Sequence, residues 1–464
     1  MTERTNSVQG RDIAYQLHPY TNLRKHEAQG PLVITEGKGV TVWDDSGKSY
    51  IEGMAGLWSV ALGFGEERLV DAATRQMRQL PFYHLFAHKS HEPSIDLAER
   101  LIGMMPAPMS KVFFNSSGSE ANDTAVKIVW YYNNALGRHR KKKIVSRIKG
   151  YHGVTVASAS LTGLPNNHLD FDLPIANVRH ADCPHYYRFG KPGESEEEFA
   201  TRMAESLDAL IQREGPDTVA AFIAEPVMGA GGVILPPRTY FEKVQAVLRK
   251  YDVLLIADEV ICGFGRTGNM FGSETYGMKP DIMTMAKALS SSYLPISATI
   301  VSDAIYQVLA ANSDKIGTFA HGYTYSGHPV CCAVALESLK IYEERDIVGL
   351  VRQVTPRFQD GLRRFADHPL VGEARGVGLI GAVELVRDKA SKQPFDPKQG
   401  VGAFAAARAQ EHGLIVRPLG DSVALCPPLV ISEDEIDEMF RRLGHALDDT
   451  AAEMKRAGAL ASAA

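Results

Sequence analysis

The stretch Val253-Leu254-Leu255-Ile256-Ala257-Asp258-Glu259-Val260 sets five successive apolar residues ahead of two acids. A run this short, uninterrupted and rich in branched side chains reads as a strand buried on both faces. Working outward, runs of the same kind recur: KVFF (111–114), KKIVSRI (142–148), TVAAFIA (218–224), DIMTMA (281–286) and ISATIVS (296–302). Between them lie stretches such as 120–136 and 240–250, whose apolar residues return at helical spacing. Strands alternating with helices predict an α/β fold, a mostly parallel sheet covered by helices. Ligands of such sheets bind beyond the carboxyl ends of the strands. The residues that follow each run are therefore the ones to examine.

Asp258 ends the first run, and Lys287 stands 29 residues later, where the DIMTMA strand ends. Taken singly, an acid at a strand end is usually solvated and a lysine usually sits at the surface. Taken together they are the pair a pyridoxal site requires. The lysine forms a Schiff base with the cofactor's carbonyl, and the acid faces the pyridinium nitrogen. A buried carboxylate keeps that nitrogen protonated, because opposite charges favour both ionised forms. A third element is Asn115-Ser116-Ser117-Gly118-Ser119-Glu120-Ala121, between KVFF and a helical pattern. Small residues at a helix N-terminus let free N–H groups hold a phosphate; Ser119 could equally be a plain N-cap. Two GxGxxG matches, Gly263–Gly268 and Gly376–Gly381, lack the helix that a dinucleotide fingerprint must open at its last glycine.

Composition narrows the remaining classes. The chain has 464 residues, 45% hydrophobic and 23% charged, with 50 basic against 55 acidic residues and a net charge of −5. That is an ordinary globular make-up, and nothing in it favours nucleic acid or an anionic membrane. The basic run Arg138–Lys143 reads as a solvated helix-to-strand turn. Five cysteines, without CxxC spacing, indicate neither a disulfide framework nor a zinc site. The N-terminus lacks a signal-peptide core, and the longest apolar candidate, near 220–235, is broken by Glu225 and Pro226. The expected location is cytoplasmic, with no membrane and no nucleic-acid partner. Three parts are expected: an N-terminal segment at 1–60 contributing to a small domain, a large cofactor domain at 61–330, and a small α+β domain at 331–464 with a frayed tail from Ala457.

From about His18-Pro19 to Pro428 the chain resembles the class III (ω-amino acid and amine:pyruvate) aminotransferases of fold type I. The resemblance rests on GMAGLW (53–58), NSSGSEAND (115–123), GYHG (150–153), AEPVMGAGG (224–232), ADEVICGFGRTG (257–268), MAKALSS (285–291) and HGYTYSGHP (321–329), in that order. It implies pyridoxal 5′-phosphate on a seven-stranded type of sheet. Ser117, Gly118 and Ser119 would hold the phosphate, joined by Thr324 of the partner in a homodimer with shared sites; further association to a tetramer stays open. Tyr151 would stack on the ring with Val260 on its other face, and His152, Glu225 and Asp258 would lie close by. Tyr20, Leu57, Trp58 and Phe86 would line the substrate pocket, and Tyr323 would reach in across the interface. Arg417 would be a movable cation for the keto-acid carboxylate. One departure is Ala230, where the ornithine and 4-aminobutyrate branches carry a glutamate; it argues for the amine:pyruvate group.

The expected reaction moves an amino group from an amine or ω-amino acid to an α-keto acid, pyruvate, giving L-alanine. Lys287 moves the proton as general acid and base. The competing readings are a fold-type I decarboxylase, an aminomutase, and a silent pyridoxal-binding regulator. The last usually carries a DNA-binding segment, and no basic helix-turn-helix pattern is visible.

Overall fold

A computed structural model describes residues 6–460. Its centre is a seven-stranded sheet whose spatial order is Lys111–Asn115, Ser297–Val301, Ile282–Met285, Leu254–Asp258, Val219–Ala224, Lys143–Arg147 and Val178–Ala181. Six strands run one way; Ser297–Val301 is antiparallel to both neighbours. All six apolar runs form strands within a residue or two of the expected limits. The seventh strand, Val178–Ala181, was not anticipated: it lies at the sheet edge and carries half-buried Arg179 and His180, so it never reads as an apolar run.

Sequence accounts for the sheet's packing. Val219–Ala224 is buried at every position, which requires helices on both faces. Glu196–Glu214 opens on a capping box between Ser195 and Glu198, and it packs against Tyr240–Lys250. Pro329–Glu344 packs on Glu67–Gln79 and Glu92–Met104. The basic run is a turn, as expected, but not wholly solvated. Lys141 is buried and its Nζ donates to the Tyr251 carbonyl, while Arg138 and Arg140 pair with Asp252 and Asp217. The GxGxxG match at 376–381 is a hairpin joining Val371–Val377 to Ile380–Leu385. All five cysteines are buried and unpaired. Among the described residues no helix is long and apolar enough to cross a membrane. The expected tail fraying concerns residues that partly, at 461–464, lie outside the description.

Two smaller sheets flank the large one. Ile34–Lys38, Thr41–Asp44 and Ser49–Glu52 form an antiparallel set, and Leu414–Ile415 joins it in parallel beside Ser49–Glu52. Val371–Val377, Ile380–Leu385, Ser422–Leu425 and Arg417–Leu419 form a second, antiparallel sheet.

Glu52 ends its strand 6% exposed, and burial pushes its carboxyl up to about 7 against hydrogen bonds from the Met54 and Gly56 amides. A carboxyl raised in the folded state binds its proton there more tightly than in the unfolded chain. Its contribution is therefore present at acidic pH and is lost as pH climbs from the ordinary glutamate value through about 7. Glu52→Gln keeps the neutral form at every pH. The melting temperature of the variant relative to the parent should rise between pH 5 and pH 8. A difference that stays constant across that range would remove Glu52 as the cause.

Candidate active site

Strand register assembles the site. Ala224 pairs with Ala257, which sets Glu225 beside Asp258 at the carboxyl edge. Asp258 pairs with Thr284, so Lys287 follows three residues beyond on the next strand. There the backbone turns sharply: Lys287 has φ +48°, a left-handed conformation unfavourable for a side-chain-bearing residue, and opens a 3-10 turn to Ser290. Such strain persists only where the surroundings enforce it, and it concentrates at functional positions. Ser291, also left-handed, accepts from the Leu62 amide and ties the turn to the N-terminal part of the chain.

One cavity, of about 120 Å³, collects half of the expected residues: Gly118, Ser119, Tyr151, His152, Glu225, Asp258, Val260 and Lys287, with Asn122, Gly153, Ile261 and Ala286 completing the lining. Asp258 is 3% exposed. Its Oδ2 accepts from Asn122 Nδ2 and contacts His152 Nδ1, each at 2.8 Å, and its Oδ1 accepts from the Val260 amide at 3.1 Å. Asn122 is fixed in turn, donating to the His152 carbonyl and accepting from Thr284 Oγ1. Glu225 accepts from the amides of Tyr151 and Gly229, and burial pushes its carboxyl up. Burial pulls the Lys287 amine below the ordinary lysine range, opposed by the charges of Asp258 and Glu225.

Asn122 and Thr284 were missed by sequence reasoning. The available signal was a polar residue one turn after Gly118 on a helix face that otherwise carries small or apolar buried side chains. That helix, Gly118–Ala135, is capped by Ser117, whose Oγ accepts from the Glu120 amide, so the N-cap is Ser117 and not Ser119. Ser119 Oγ instead accepts from the Val154 amide. The first-turn amides of Gly118 and Ser119 have no acceptor within the helix, and both residues line the cavity. A Cβ on Gly118 would press Val260 at 3.1–3.2 Å, and one on Gly153 would meet Ser119 Oγ at 2.5 Å. The space is kept open by both glycines.

The remaining expected residues fall in two groups. Leu57 and Ser117 line an adjoining cavity that shares Gly118, Ala286 and Lys287 with the first. Tyr20 stands edge-on to Tyr151 with ring centroids 6.4 Å apart, and Arg417 lies within electrostatic reach of both tyrosines and of Lys287. Trp58 is 2% exposed and packs in the apolar cluster that contains Met54 and Ile261. Phe86, Tyr323 and Thr324 are not brought into this cavity. A Cβ on Gly322 would meet the Phe86 ring at 2.8 Å, Tyr323 contacts Thr124 Oγ1 at 3.4 Å, and Thr324 is exposed. Within one chain the Phe86 segment lies against 322–328 and does not line this cavity.

These residues suit pyridoxal phosphate: a buried amine for the aldehyde, a hydrogen-bonded carboxylate for the ring nitrogen, and a helix N-terminus for the phosphate. The comparisons agree. The class III aminotransferase family model matches residues 23–447. A chloroplastic gamma aminobutyrate transaminase 3 of Solanum lycopersicum is 54% identical over 97% of this chain and 88% of its own length. A mitochondrial gamma aminobutyrate transaminase 1 of the same plant is 56% identical over 94% and 84%. Among solved structures, the omega transaminase of Pseudomonas jessenii in complex with PMP is 59% identical, covers 97% of this chain and 99% of its own, and superposes with a TM-score of 0.96. A thermostable omega transaminase variant, PjTA-R6, is 60% identical over 96% and 100%, with a TM-score of 0.95. The plant relatives are organellar, which overturns the cytoplasmic expectation. That expectation rested on the lack of an apolar leader, and organellar leaders are amphipathic and basic instead. With lysine, acid and anion cradle on the carboxyl edge of one sheet, and with the family match spanning nearly the whole length, the chain belongs to the class III aminotransferases, pyridoxal-phosphate-dependent enzymes of fold type I.

Proposed function

We propose that this aminotransferase takes the amino group from a terminal amine or ω-amino acid and passes it to pyruvate, giving L-alanine, in two alternating half-reactions. Arg417 is the observation that carries the reading. It is half-buried between Tyr20 and Tyr151, and among the described residues it has no carboxylate within ion-pairing distance. Burial lowers its pKa, opposed by the two tyrosines. A desolvated guanidinium left unpaired is costly, and a keto-acid carboxylate would satisfy it through two charge-assisted hydrogen bonds. Position 230, where an acid could compete for it in other branches, is alanine.

When bound, pyridoxal phosphate supplies an electron sink for the electrons left behind as the donor's amine-bearing carbon loses its proton. Lys287 Nζ, whose pKa burial lowers, is the amine placed to take up that proton and return it. Asp258, held by Asn122 and His152, is the carboxylate that would face the cofactor's ring nitrogen. Glu225 anchors the Tyr151 amide and so sets the aromatic wall.

The names of relatives support the donor class. 4-Aminobutyrate is itself an ω-amino acid, so the plant gamma-aminobutyrate transaminases fall within it, and Ala230 does not count against that donor. Variants of the PjTA-R6 omega transaminase engineered for bulky amines carry W58M, F86L and R417L, the residue types found here at Trp58, Phe86 and Arg417. A second copy of the chain would complete the site. Phe86, whose ring lies against Gly322 just ahead of Tyr323 and Thr324, is exposed together with Phe82, Tyr83 and Tyr325, an aromatic surface suited to burial in a homodimer. The same reading takes 61–330 as the cofactor domain and joins 1–60 with 331–464 in a smaller lobe, supported by the pairing of Ile51 and Glu52 with Leu414 and Ile415.

Supplied with cofactor and pyruvate, the enzyme should form alanine from terminal amines and from 4-aminobutyrate; a donor panel that yields none with pyruvate, but does with another keto acid, would reject pyruvate as acceptor. Sedimentation at assay concentration should find the active species dimeric, and an active monomer would contradict the shared site. Arg417→Ala should slow the pyruvate half-reaction by about 2–4 kcal/mol, the scale of a lost charged pair, and spare the half-reaction with an uncharged amine. Stopped-flow traces of each half-reaction decide it: equal losses would mean that the carboxylate is held elsewhere.

A further inference from the structure

We propose that Asp12, His18 and His26 form a binding site for a zinc-type divalent cation that clips the N-terminal segment beside the active site. Asp12 lies on the helix Val8–Tyr15, His26 on the helix Leu23–Gln29, and His18 on the link between them. Both imidazoles turn Nε2 onto the same oxygen: His18 Nε2 and His26 Nε2 are each 2.9 Å from Asp12 Oδ1. The three ligand atoms lie within 4.8 Å of one another, and the ring centroids are 4.1 Å apart. In a tetrahedral site with bonds of roughly 2.0–2.1 Å, ligand atoms stand roughly 3.3 Å apart, so only small shifts would admit the ion. Side-chain exposures of 25%, 15% and 12% for His18, Asp12 and His26 leave an opening through which water can supply the fourth ligand.

Among the described residues, a second cluster of histidine and carboxylates shows what a site filled by protein charge looks like. His185, Glu373 and Glu384 also converge, but Arg375 Nη1 already bridges both glutamates and Arg188 pairs with Glu384. A cation has no place there. Among the described residues, Asp12 has no lysine or arginine partner, only the two histidines. Two imidazole nitrogens with one carboxylate oxygen suit zinc or a neighbouring transition metal, whereas calcium and magnesium call for oxygen ligands. Binding displaces the Nε2 protons, which pass to solvent or leave each ring as its Nδ1 tautomer, and the three lone pairs then converge on the metal.

The placement gives the clip a consequence. Tyr20 follows His18 by two residues, has φ +50°, accepts from Asn167 Nδ2, and meets the Tyr151 ring. Fixing His18 and His26 to Asp12 fixes the turn that carries Tyr20.

The test uses the chelator-stripped holoenzyme, zinc as the probe, and binding rather than turnover as the readout, so it is independent of the donor and acceptor assignment. Calorimetric titration should give one zinc per chain, with a rise in melting temperature that magnesium does not produce. Asp12→Asn and His26→Ala should each weaken binding by at least the roughly 10–100-fold that loss of a mere supporting residue costs at metal sites. Cobalt(II) added to the parent should develop the visible absorption of a site with nitrogen and oxygen ligands, which requires no variant to fold. Absence of zinc uptake, absence of the cobalt bands, or undiminished affinity in folded variants would each overturn the proposal.

Discussion

A carboxylate that is 3% exposed has to be held by donors or paired with a cation, because an unpaired buried charge is unaffordable to a marginally stable fold. At Asp258 the holding is done by Asn122 and His152, and everything else in the site takes its position from that arrangement. Asn122 is one helical turn beyond Gly118, on the same helix whose first turn lines the cavity. One rigid element therefore sets the distance between the anion cradle and the acid. Thr284 locks Asn122 from the next strand, and the register of that strand delivers Lys287. Helix, acid and lysine cannot shift separately.

The parts legible in the sequence are those where one physical rule dominates. Val219–Ala224, Leu254–Asp258 and Ile282–Met285 are central strands buried almost throughout and read directly as apolar runs, and the acid and lysine at the ends of two of them followed from the carboxyl-edge rule. Val178–Ala181 escaped because an edge strand can carry Arg179 and His180. Asn122 escaped because a single polar residue in a helix has many ordinary explanations, and only its partners across the sheet reveal the reason for it. The N-cap role passed from Ser119 to Ser117 by two residues, a distinction set by local backbone angles that composition does not carry.

Residues contributed by distant segments were legible only through family resemblance. Tyr20 and Arg417 are nearly four hundred positions apart and meet around Tyr151 through tertiary folding alone. Phe86 and Thr324 show the opposite limit. Both were expected at the site, and neither lines the cavity within one chain. Compartment was the least legible property, since a missing apolar leader says nothing of an amphipathic one.

The most direct measurement on this account is the turnover of Asp258→Asn with saturating donor and acceptor, alongside its affinity for the cofactor. The substitution keeps the shape and a hydrogen-bonding side chain but removes the charge that the buried network exists to hold. The account predicts that the cofactor is retained while kcat falls by more than roughly 100-fold, about 2.7 kcal/mol in the barrier. Turnover within about tenfold of the parent, with the cofactor bound, would contradict it.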